Sequence, residues 1–464
     1  MIRPVAILPI FSKILERVVF NQIINYVNEN NLLHPSHHAY RKSHNTTSAL
    51  VQMYDSWINN FDRGAYSGVC FLDMSAAFDI VDHTLLLQKL ELYGFNKTSL
   101  SWLRSYLSGR SQCVSINSSC SSLLNVPTGV PQGSILGPLL YTLFTNELPE
   151  TIHDHENDGT WPPYNDSCTA CGTICCFGDD TTFSSFAENP DHLASNLAEK
   201  FKMISEFLIS NGLKLNEDKT HLLLLTSSQK RRKNNPQISL VTNSAIVRST
   251  PAEKLLGCTI HEDLKWSEYI LLGENSLLKS LCSRLKALKL VCGVASFKAR
   301  KMIGEGIFMS KLIYVIQVWG GCELYLINVL QTLQNKAARN ITKLPWNTTT
   351  RHLLLQCGWL SVKQLVIFHS VVFIHKTLKS KSPKYIYDMY DMHYSAEHMT
   401  RLAKKDLIRL KDSTVPKSDL ATQSFKWRAT KQYNDLLVEI RNICEVDRFR
   451  HSVKKWISDN VPVV

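Results

Sequence analysis

The sequence lacks the features that would direct a protein to a membrane or to secretion. No run approaches the roughly 18 uncharged apolar residues that a membrane-spanning helix needs, and no signal peptide opens the chain. Thirteen cysteines, an odd number spread over 464 residues, do not form the pattern of a secreted disulfide framework. We therefore expect no membrane partner and an intracellular location, in the nucleus or the cytoplasm.

Acidic residues are also in deficit. The chain has 52 Lys and Arg residues against 40 Asp and Glu, a formal net charge of +12 at pH 7. An excess of this size favours a polyanionic partner such as a nucleic acid. The apolar content of 44% is ordinary for a globular protein, and the length allows two or three domains.

Two of the acids are adjacent, at Asp179 and Asp180, in the middle of the stretch Cys175–Ser184. The β-branched, aromatic and small residues on either side predict two short strands joined by a tight turn at Gly178-Asp179-Asp180. Such a hairpin can present a carboxylate into a cleft. Taken alone, such a pair is usually a solvated turn.

A third acid, Asp73, ends the apolar strand that begins at Val69, and Met74–Asp79 follows with helix-forming character. A carboxylate at the end of a buried strand, beside one on a neighbouring hairpin, is how two divalent cations are held for phosphoryl transfer. Mg²⁺ prefers oxygen ligands and needs only one or two carboxylates besides water and phosphate. Asp73 and Asp179 together therefore predict a magnesium site.

The stretch Gly129–Pro138 combines three glycines with two prolines, which predicts a fixed backbone that a ligand can approach closely, at Gly133 among others. Ser134 is expected to cap a helix that continues through Asn146. Gln132 is the one long polar side chain here, so we expect it to lie under a nucleotide or its template base.

The first predicted helix begins near Lys13, with Ser12 as its cap and with an apolar inner face formed by Ile14, Leu15, Val18 and Val19. A natural domain rarely starts so abruptly, so we expect the chain to be a piece of a longer polypeptide.

Three polar stretches have both a functional and an ordinary interpretation. Arg41 and Lys42 can grip a triphosphate or belong to a solvated loop. Cys168 and Cys171 have zinc-ligand spacing, with Cys175 and Cys176 as further ligands, or all four are reduced cysteines. The basic run at 230–233 is expected to be a solvated loop, with a nuclear or phosphate contact as the alternative.

Beyond the acids, Glu253–Ile260 is predicted to be a strand with a glycine bulge. From Asn275 to about Lys379 the pattern is largely helical, and Ser424–Ile457 forms a basic, Trp-containing helical tail.

In this order along the chain, the motifs resemble those of the reverse transcriptases of non-LTR (LINE-type) retrotransposons, in the jockey and chicken-repeat neighbourhood. Gly129–Pro138 matches the Gly-Val-Pro-Gln-Gly-Ser-Ile-Leu-Gly-Pro signature along its whole length, and Leu215–Thr220 is similar to Leu-Asn-x-x-Lys-Thr. Phe177–Asp180 stands where Tyr-Ala-Asp-Asp is usual, and His37–Arg41 departs from Gln-x-Gly-Phe-Arg. The resemblance covers residues 3–345 well, with no endonuclease before it, so we expect a fragment that lacks the endonuclease.

The resemblance implies an α+β fold, a right-hand polymerase with fingers, an antiparallel, ferredoxin-like palm sheet and a helical thumb, plus a C-terminal helical extension. Fingers and palm are expected at 1–270, the thumb at 271–345 and a basic helical extension at 346–464. It also implies an RNA-directed DNA polymerase that transfers deoxynucleotides (dNTPs) onto a DNA primer along an RNA template.

By the same resemblance each site residue has an expected role. Asp73 and Asp179 would hold two Mg²⁺ ions, with Mn²⁺ as a substitute, and Asp180 would support them; Lys219 would protonate the leaving pyrophosphate. The substrate contacts would come from Arg41, Lys42, Phe78, Gln132 and Gly133, with the Phe78 ring excluding a 2′-hydroxyl. The alternatives are a catalytically inactive nucleic-acid-binding remnant, an RNA-dependent RNA polymerase, which also uses Gly-Asp-Asp, and an intron-type or telomerase-like reverse transcriptase.

Overall fold

The computed structural model of the chain describes residues 6–117, 119–152, 173–242, 245–391, 407–411 and 415–463. The chain divides into two compact units. The first contains Met1–Asn45, Ser67–Leu224 and Pro236–Ser249, and the second contains Thr46–Tyr66, Leu225–Asn235 and Thr250–Val464. The division into fingers and palm, thumb and extension stays a prediction.

The strands are short, and most of those that matter for the site lie in one sheet of the first unit. In chain order they are β1 (Tyr66–Leu72), β2 (Ser111–Gln112), β3 (Ser115–Ile116), β4 (Ser119–Cys120), β5 (Leu124–Asn125), β6 (Thr173–Phe177), β7 (Asp180–Ala187), β8 (His221–Leu225), β9 (Ser239–Val241), β10 (Ile246–Thr250), β11 (Ala252–Leu255), β12 (Cys258–His261), β13 (Tyr390–Asp391) and β14 (Arg409–Leu410).

The helices account for most of the second unit. In chain order they are α1 (Ile10–Glu29), α2 (Thr46–Asp62), α3 (His83–Leu92), α4 (Lys97–Leu107), α5 (Gly137–Phe144), α6 (Pro190–Ser210), α7 (Ser228–Asn234), α8 (Leu277–Val291), α9 (Phe297–Ile303), α10 (Ser310–Leu312), α11 (Ile316–Trp319), α12 (Leu324–Thr342), α13 (Thr350–Cys357), α14 (Val362–Ser380), α15 (Lys384–Tyr387), α16 (Asp419–Thr422), α17 (Phe425–Asn434), α18 (Val438–Arg441) and α19 (Val446–Asn460). Single turns of 3-10 helix at Leu148–Ile152 and Glu217–Lys219 and of π-helix at Glu268–Leu272 and Gly304–Met309 complete them. The predicted α+β class is confirmed.

The central sheet of the first unit has six strands in the order β6-β7-β1-β8-β10-β9. Strand β1 is buried along its whole length, as expected for a strand covered on both faces. On one face α6 packs so closely that a Cβ added at Gly68 would meet the Leu197 side chain at 2.4 Å. In the sheet, β1 lies between β7 and β8, the strands that neighbour it on either side.

The predicted acidic hairpin is confirmed. Strands β6 and β7 pair antiparallel with Phe177 opposite Asp180, which leaves Gly178 and Asp179 as a two-residue turn. Gly178 has φ +68°, a left-handed value that favours glycine. The alternation of apolar and small residues thus fixes the register that brings Asp179 to the tip.

The prediction for the face of α1 is wrong. Ile14, Leu15 and Val18 are more than half exposed, whereas Glu16 is 2% exposed. The Glu16 carboxylate accepts hydrogen bonds from the backbone N–H of Ile135 at 2.6 Å and from the Tyr106 hydroxyl at 3.0 Å. These partners turn the polar side of the helix inward. The helix also begins earlier than predicted, at Ile10 instead of Lys13.

Two smaller predictions in the second unit are also wrong. The basic run at 230–233 lies in α7, a helix capped by Ser227, and the Arg231 guanidinium pairs with Asp263 at 2.6 Å and with Glu262 at 2.9 Å. These partners replace solvent and make a helix favourable. The stretch Glu253–Ile260 is a hairpin of β11 and β12 instead of a bulged strand.

A buried carboxylate joins α2 to the C-terminal part of the second unit. The Asp55 side chain, 1% exposed, accepts the backbone N–H groups of Phe425 at 3.0 Å and Lys426 at 2.9 Å, at the start of α17. A carboxylate at a helix N-terminus satisfies donors that have no partner within the helix.

Among the described residues, no single helix is long and apolar enough to cross a membrane. The bent pair α13 and α14 passes the same test of length and composition when the two are taken together, with a bend of 47° between them.

Candidate active site

A pocket of about 250 Å³ lies in the first unit where β1 ends. Six residues singled out from the sequence line it: Asp73, Phe78, Gln132, Gly133, Asp179 and Lys219. They come from separate stretches of the chain, so the fold gathers them into one place. Tyr40, Asp79 and Asn216 line the same pocket and were not predicted.

Asp73 directly follows β1, and its surroundings are fixed by the segment that leads to β8. The Asp73 carbonyl accepts the Asn216 backbone N–H at 2.8 Å, and the Ser75 N–H donates to the Lys214 carbonyl at 2.8 Å. On the side chain, Asp73 Oδ2 lies 3.2 Å from Asn216 Nδ2 and 3.4 Å from Lys219 Nζ. The predicted Leu-Asn-x-x-Lys-Thr motif thus places both its amide and its ammonium group against the predicted metal ligand.

The donor set suits a divalent cation. Asp73 and Asp179 supply hard carboxylate oxygens to one pocket, which are the ligands that Mg²⁺ prefers. Within the described residues no three of His, Cys, Asp and Glu come together as a metal-binding group. Two carboxylates with water and substrate phosphates are the ligands that Mg²⁺ typically takes.

Asp180 differs from the other two acids in its position relative to the pocket. It is exposed at the first position of β7 and is not among the residues that line the pocket. Asp179 lies in the turn of the hairpin, whereas Asp180 already pairs with Phe177 as the first residue of β7.

The helix predicted at Met74–Asp79 is wrong. Residues 75–79 form a turn, in which Ala76 has the left-handed φ of +52°, and the next helix, α3, begins at His83. The Phe78 ring packs on Tyr141, with ring centroids 4.6 Å apart and planes at 38°. Tyr141 is itself fixed by donating to Met74 Sδ at 3.0 Å. Phe78 is half-buried, so one part of the ring remains at the pocket wall.

The glycine-rich stretch lies directly on this turn. A Cβ added at Gly129, whose φ is +90°, would meet the Asp79 carbonyl oxygen at 2.6 Å, so only glycine permits the approach. The helix predicted from Ser134 through Asn146 is shorter in the structure: α5 spans Gly137–Phe144, and its N-cap is Leu136 with no side-chain cap. Ser134 Oγ instead accepts the Gly137 N–H at 2.8 Å, at the first residue of the helix. Gly133 has φ +97° and is exposed beside Gln132.

The loop before α2 is joined to β6 by backbone hydrogen bonds. The His38 N–H donates to the Cys176 carbonyl at 2.9 Å and the Cys176 N–H donates to the Ser36 carbonyl at 2.9 Å, so the loop extends the sheet edge beside β6. Arg41 Nη1 donates to the carbonyls of His34 at 3.0 Å and His37 at 3.3 Å. The loop is thereby closed around its own arginine.

Arg41 and Lys42 are not among the described residues that line the pocket, whereas their neighbour Tyr40 is. Partial burial and the Asp179 carboxylate raise the pKa of the Tyr40 phenol. Tyr40 occupies the position of the aromatic residue in the Gln-x-Gly-Phe-Arg pattern. This position could have identified Tyr40 as a pocket residue from the sequence.

The proposed zinc ligands Cys168 and Cys171 lie outside the described residues. Cys175 and Cys176 are adjacent in β6 and therefore face opposite sides of the strand. Burial raises the pKa of both thiols, that of Cys176 to about 12, so the thiolate that zinc requires is disfavoured in this environment.

The fold and the pocket agree with a family assignment. The family described as reverse transcriptase (RNA-dependent DNA polymerase) matches residues 1–260, more than half of the chain, and the chain belongs to this family. Reverse transcriptases as a family use divalent metal ions.

The relatives of the chain are proteins of mobile elements. It is 26% identical over 351 residues to the RNA-directed DNA polymerase from mobile element jockey of Drosophila melanogaster, a match that covers 76% of this chain and 36% of that protein. It is 27% identical over 354 residues to the probable RNA-directed DNA polymerase from transposon X-element of the same fly, covering 75% of this chain and 37% of that protein. The predicted resemblance to non-LTR reverse transcriptases is thus confirmed, and the chain spans a little over a third of the length of these relatives.

Among solved structures, apo telomerase from Candida tropicalis aligns with a TM-score of 0.40 at 12% identity, over 81% of this chain and 61% of that chain.

Proposed function

We propose that this chain copies RNA into DNA, as the polymerase part of a non-LTR retrotransposon protein. One observation carries the proposal. A single pocket is lined by two carboxylates, an aromatic ring and a long amide, which are far apart in the sequence: Asp73, Asp179, Phe78 and Gln132. Nucleotide addition needs these groups in one place.

Asp73 and Asp179 are the residues that would hold two Mg²⁺ ions, for which Mn²⁺ can substitute. When bound, the ions supply charge stabilisation to the attacking primer oxygen and the leaving pyrophosphate. Asp180, outside the pocket, would support this site from the start of β7.

Lys219 is suited to protonate the leaving pyrophosphate. Its ammonium group lies 3.4 Å from Asp73 Oδ2, and its side chain is 55% exposed, so it can exchange this partner for a phosphate oxygen. Arg41 and Lys42, next to the pocket residue Tyr40, would offset the charge of the triphosphate.

Phe78 and Gln132 would select the nucleotide. The Phe78 ring is half-buried at the pocket wall and packs on Tyr141. A ring in this place would exclude a 2′-hydroxyl, so deoxynucleotides would be favoured. Gln132 would orient the base pair, and Gly133 would let the nucleotide approach the backbone.

The proposed partners are an RNA template and a DNA primer, which would place the reaction in the nucleus or the cytoplasm. In the second unit, Leu277–Ile303 carries lysines and arginines but no acid. This segment would bind the phosphate backbone of the template and primer, with affinity that falls as salt rises.

The proposal is tested by primer extension with the full chain. A DNA primer annealed to an RNA template of defined sequence is incubated with the four dNTPs and Mg²⁺. We expect an alkali-resistant product complementary to the template, and no product after chelation of the metal. Binding without extension would leave the inactive-remnant alternative, and extension with ribonucleotides alone would indicate an RNA polymerase.

A further inference from the structure

Asp79 holds the side chain of Gln132. Gln132 Nε2 lies 2.9 Å from Asp79 Oδ1 and 3.0 Å from Asp79 Oδ2, and both residues line the pocket that contains Asp73 and Asp179. Hydrogen bonds to a charged acceptor are about twice as strong as those between neutral groups. This contact therefore determines the side-chain position of Gln132.

The backbone on both sides of this contact is fixed independently. The Val130 N–H donates to the Phe78 carbonyl at 2.7 Å, and the Thr128 hydroxyl donates to the Asp79 carbonyl at 3.1 Å. The Gln132 carbonyl accepts the Ala6 N–H at 2.7 Å. Asp79 thus extends from a rigid turn toward a rigid loop, and removal of its carboxylate leaves both backbones held.

The chemistry of the pair settles which end of the amide faces the pocket. An ionised carboxylate only accepts hydrogen bonds, so the donor end of the Gln132 amide must face Asp79. The opposite orientation would bring the amide oxygen against the carboxylate oxygens. Consequently the acceptor end of Gln132, its Oε1, is left for a ligand.

We infer that Asp79 is a positioning residue, which fixes Gln132 so that an acceptor oxygen meets an O–H or N–H group of the incoming nucleotide. The inference rests on the proposed function, because it assigns the ligand of that site. Asp79 itself need not touch the nucleotide.

Single-nucleotide incorporation by the full chain tests this assignment. Asp79→Ala should raise the KM for the dNTP on the order of tenfold, with kcat within about threefold of the parent. Asp79→Asn retains one acceptor oxygen, so its KM for the dNTP should lie between the values of the parent and of Asp79→Ala. Asp82→Ala is the matched control, since Asp82 only caps α3 by accepting the Leu85 N–H at 2.8 Å; it should leave KM unchanged.

A reversal of the hydrogen bond separates positioning from a merely structural role. Gln132→Glu sets two carboxylates against each other and should raise KM further than Asp79→Ala does. Adding Asp79→Asn restores a donor opposite a carboxylate and leaves one Glu oxygen facing the pocket, so the double variant should recover most of that loss.

Three results would overturn the inference: an unchanged KM in Asp79→Ala, no recovery in the double variant, or a loss of deoxynucleotide over ribonucleotide preference in Asp79→Ala, which would mean that the turn carrying Phe78 has collapsed. If the parent chain extends no primer, the proposed function fails separately. The equilibrium Kd of a dNTP, measured on the chain with template and primer bound, then tests Asp79 by the same tenfold difference.

Discussion

The buried carboxylate of Asp55 predicts an unusual pH dependence of stability. Burial raises its pKa from 3.8 to about 6, against the opposing effect of the Phe425 and Lys426 N–H groups and the Arg428 guanidinium. Because the folded-state pKa is raised, the protonated form favours folding. The contribution of Asp55 to the free energy of unfolding is fully present below pH 3.8 and is lost as the pH rises through about 6.

The size of the effect follows from the shift. A change from 3.8 to about 6 corresponds to about 3 kcal/mol of unfolding free energy, of which about 2 kcal/mol falls between pH 4.5 and 7.5. Asp55→Asn has no such titration but keeps an oxygen that can accept an N–H group. The stability of the parent relative to this variant should therefore decline by about 2 kcal/mol over that range.

The assay is urea unfolding of both full chains at four pH values from 4.5 to 7.5. Titration of the buried histidines is common to both and is removed by the comparison, which matters because burial lowers the pKa of His37, His369 and His375 to about 4. The reasoning would be refuted if the stability of the parent relative to Asp55→Asn did not change with pH, or if it increased as the pH rises.

Three further predictions concern the first unit. Phe78→Val should lower the preference for dGTP over GTP by about a hundredfold or more, while deoxynucleotide incorporation falls only modestly. Equal use of dGTP and GTP by the parent would contradict the steric role of Phe78. Glu16→Gln removes the charge that accepts the Ile135 N–H, so it should lower the unfolding free energy by about 1–3 kcal/mol, and an unchanged urea midpoint would argue against it. A zinc site formed by Cys168 and Cys171 with one or both of Cys175 and Cys176 predicts about one equivalent of bound metal, which Cys→Ser changes at 168 and 171 should remove. Less than about a tenth of an equivalent in the folded parent would rule this site out.

Local sequence signals were sufficient for the acidic hairpin and for the buried strand before Asp73. Both depend on side-chain alternation and turn residues, which act over a few positions. The order of the motifs along the chain predicted the family without any knowledge of the contacts between them.

The sequence failed where distant partners determine the local structure. Met74–Asp79 has helix-forming residues, but the Ser75 N–H is taken by the Lys214 carbonyl and the Phe78 carbonyl by the Val130 N–H. These long-range bonds stabilise a turn over a helix. The contact of Asp79 with Gln132 was missed for the same reason.

The position of α2 illustrates the same limit in the second unit. Its sequence lies within the part of the chain that matches the reverse transcriptase family, yet its Asp55 caps α17, far beyond that match. No periodicity connects two segments so far apart, and only the fold shows that the C-terminal region packs on α2.

The most direct test of the central claim is the loss of one carboxylate from the pocket. Asp179→Asn should reduce primer extension on RNA by several orders of magnitude and leave template binding nearly unchanged, because one metal ligand is lost while the basic segment Leu277–Ile303 is unaltered. The matched control is Asp218→Asn, because Asp218 is exposed and is not among the residues that line the pocket. This variant should extend primers at the parental rate. Equal extension by Asp179→Asn and the parent would contradict the account.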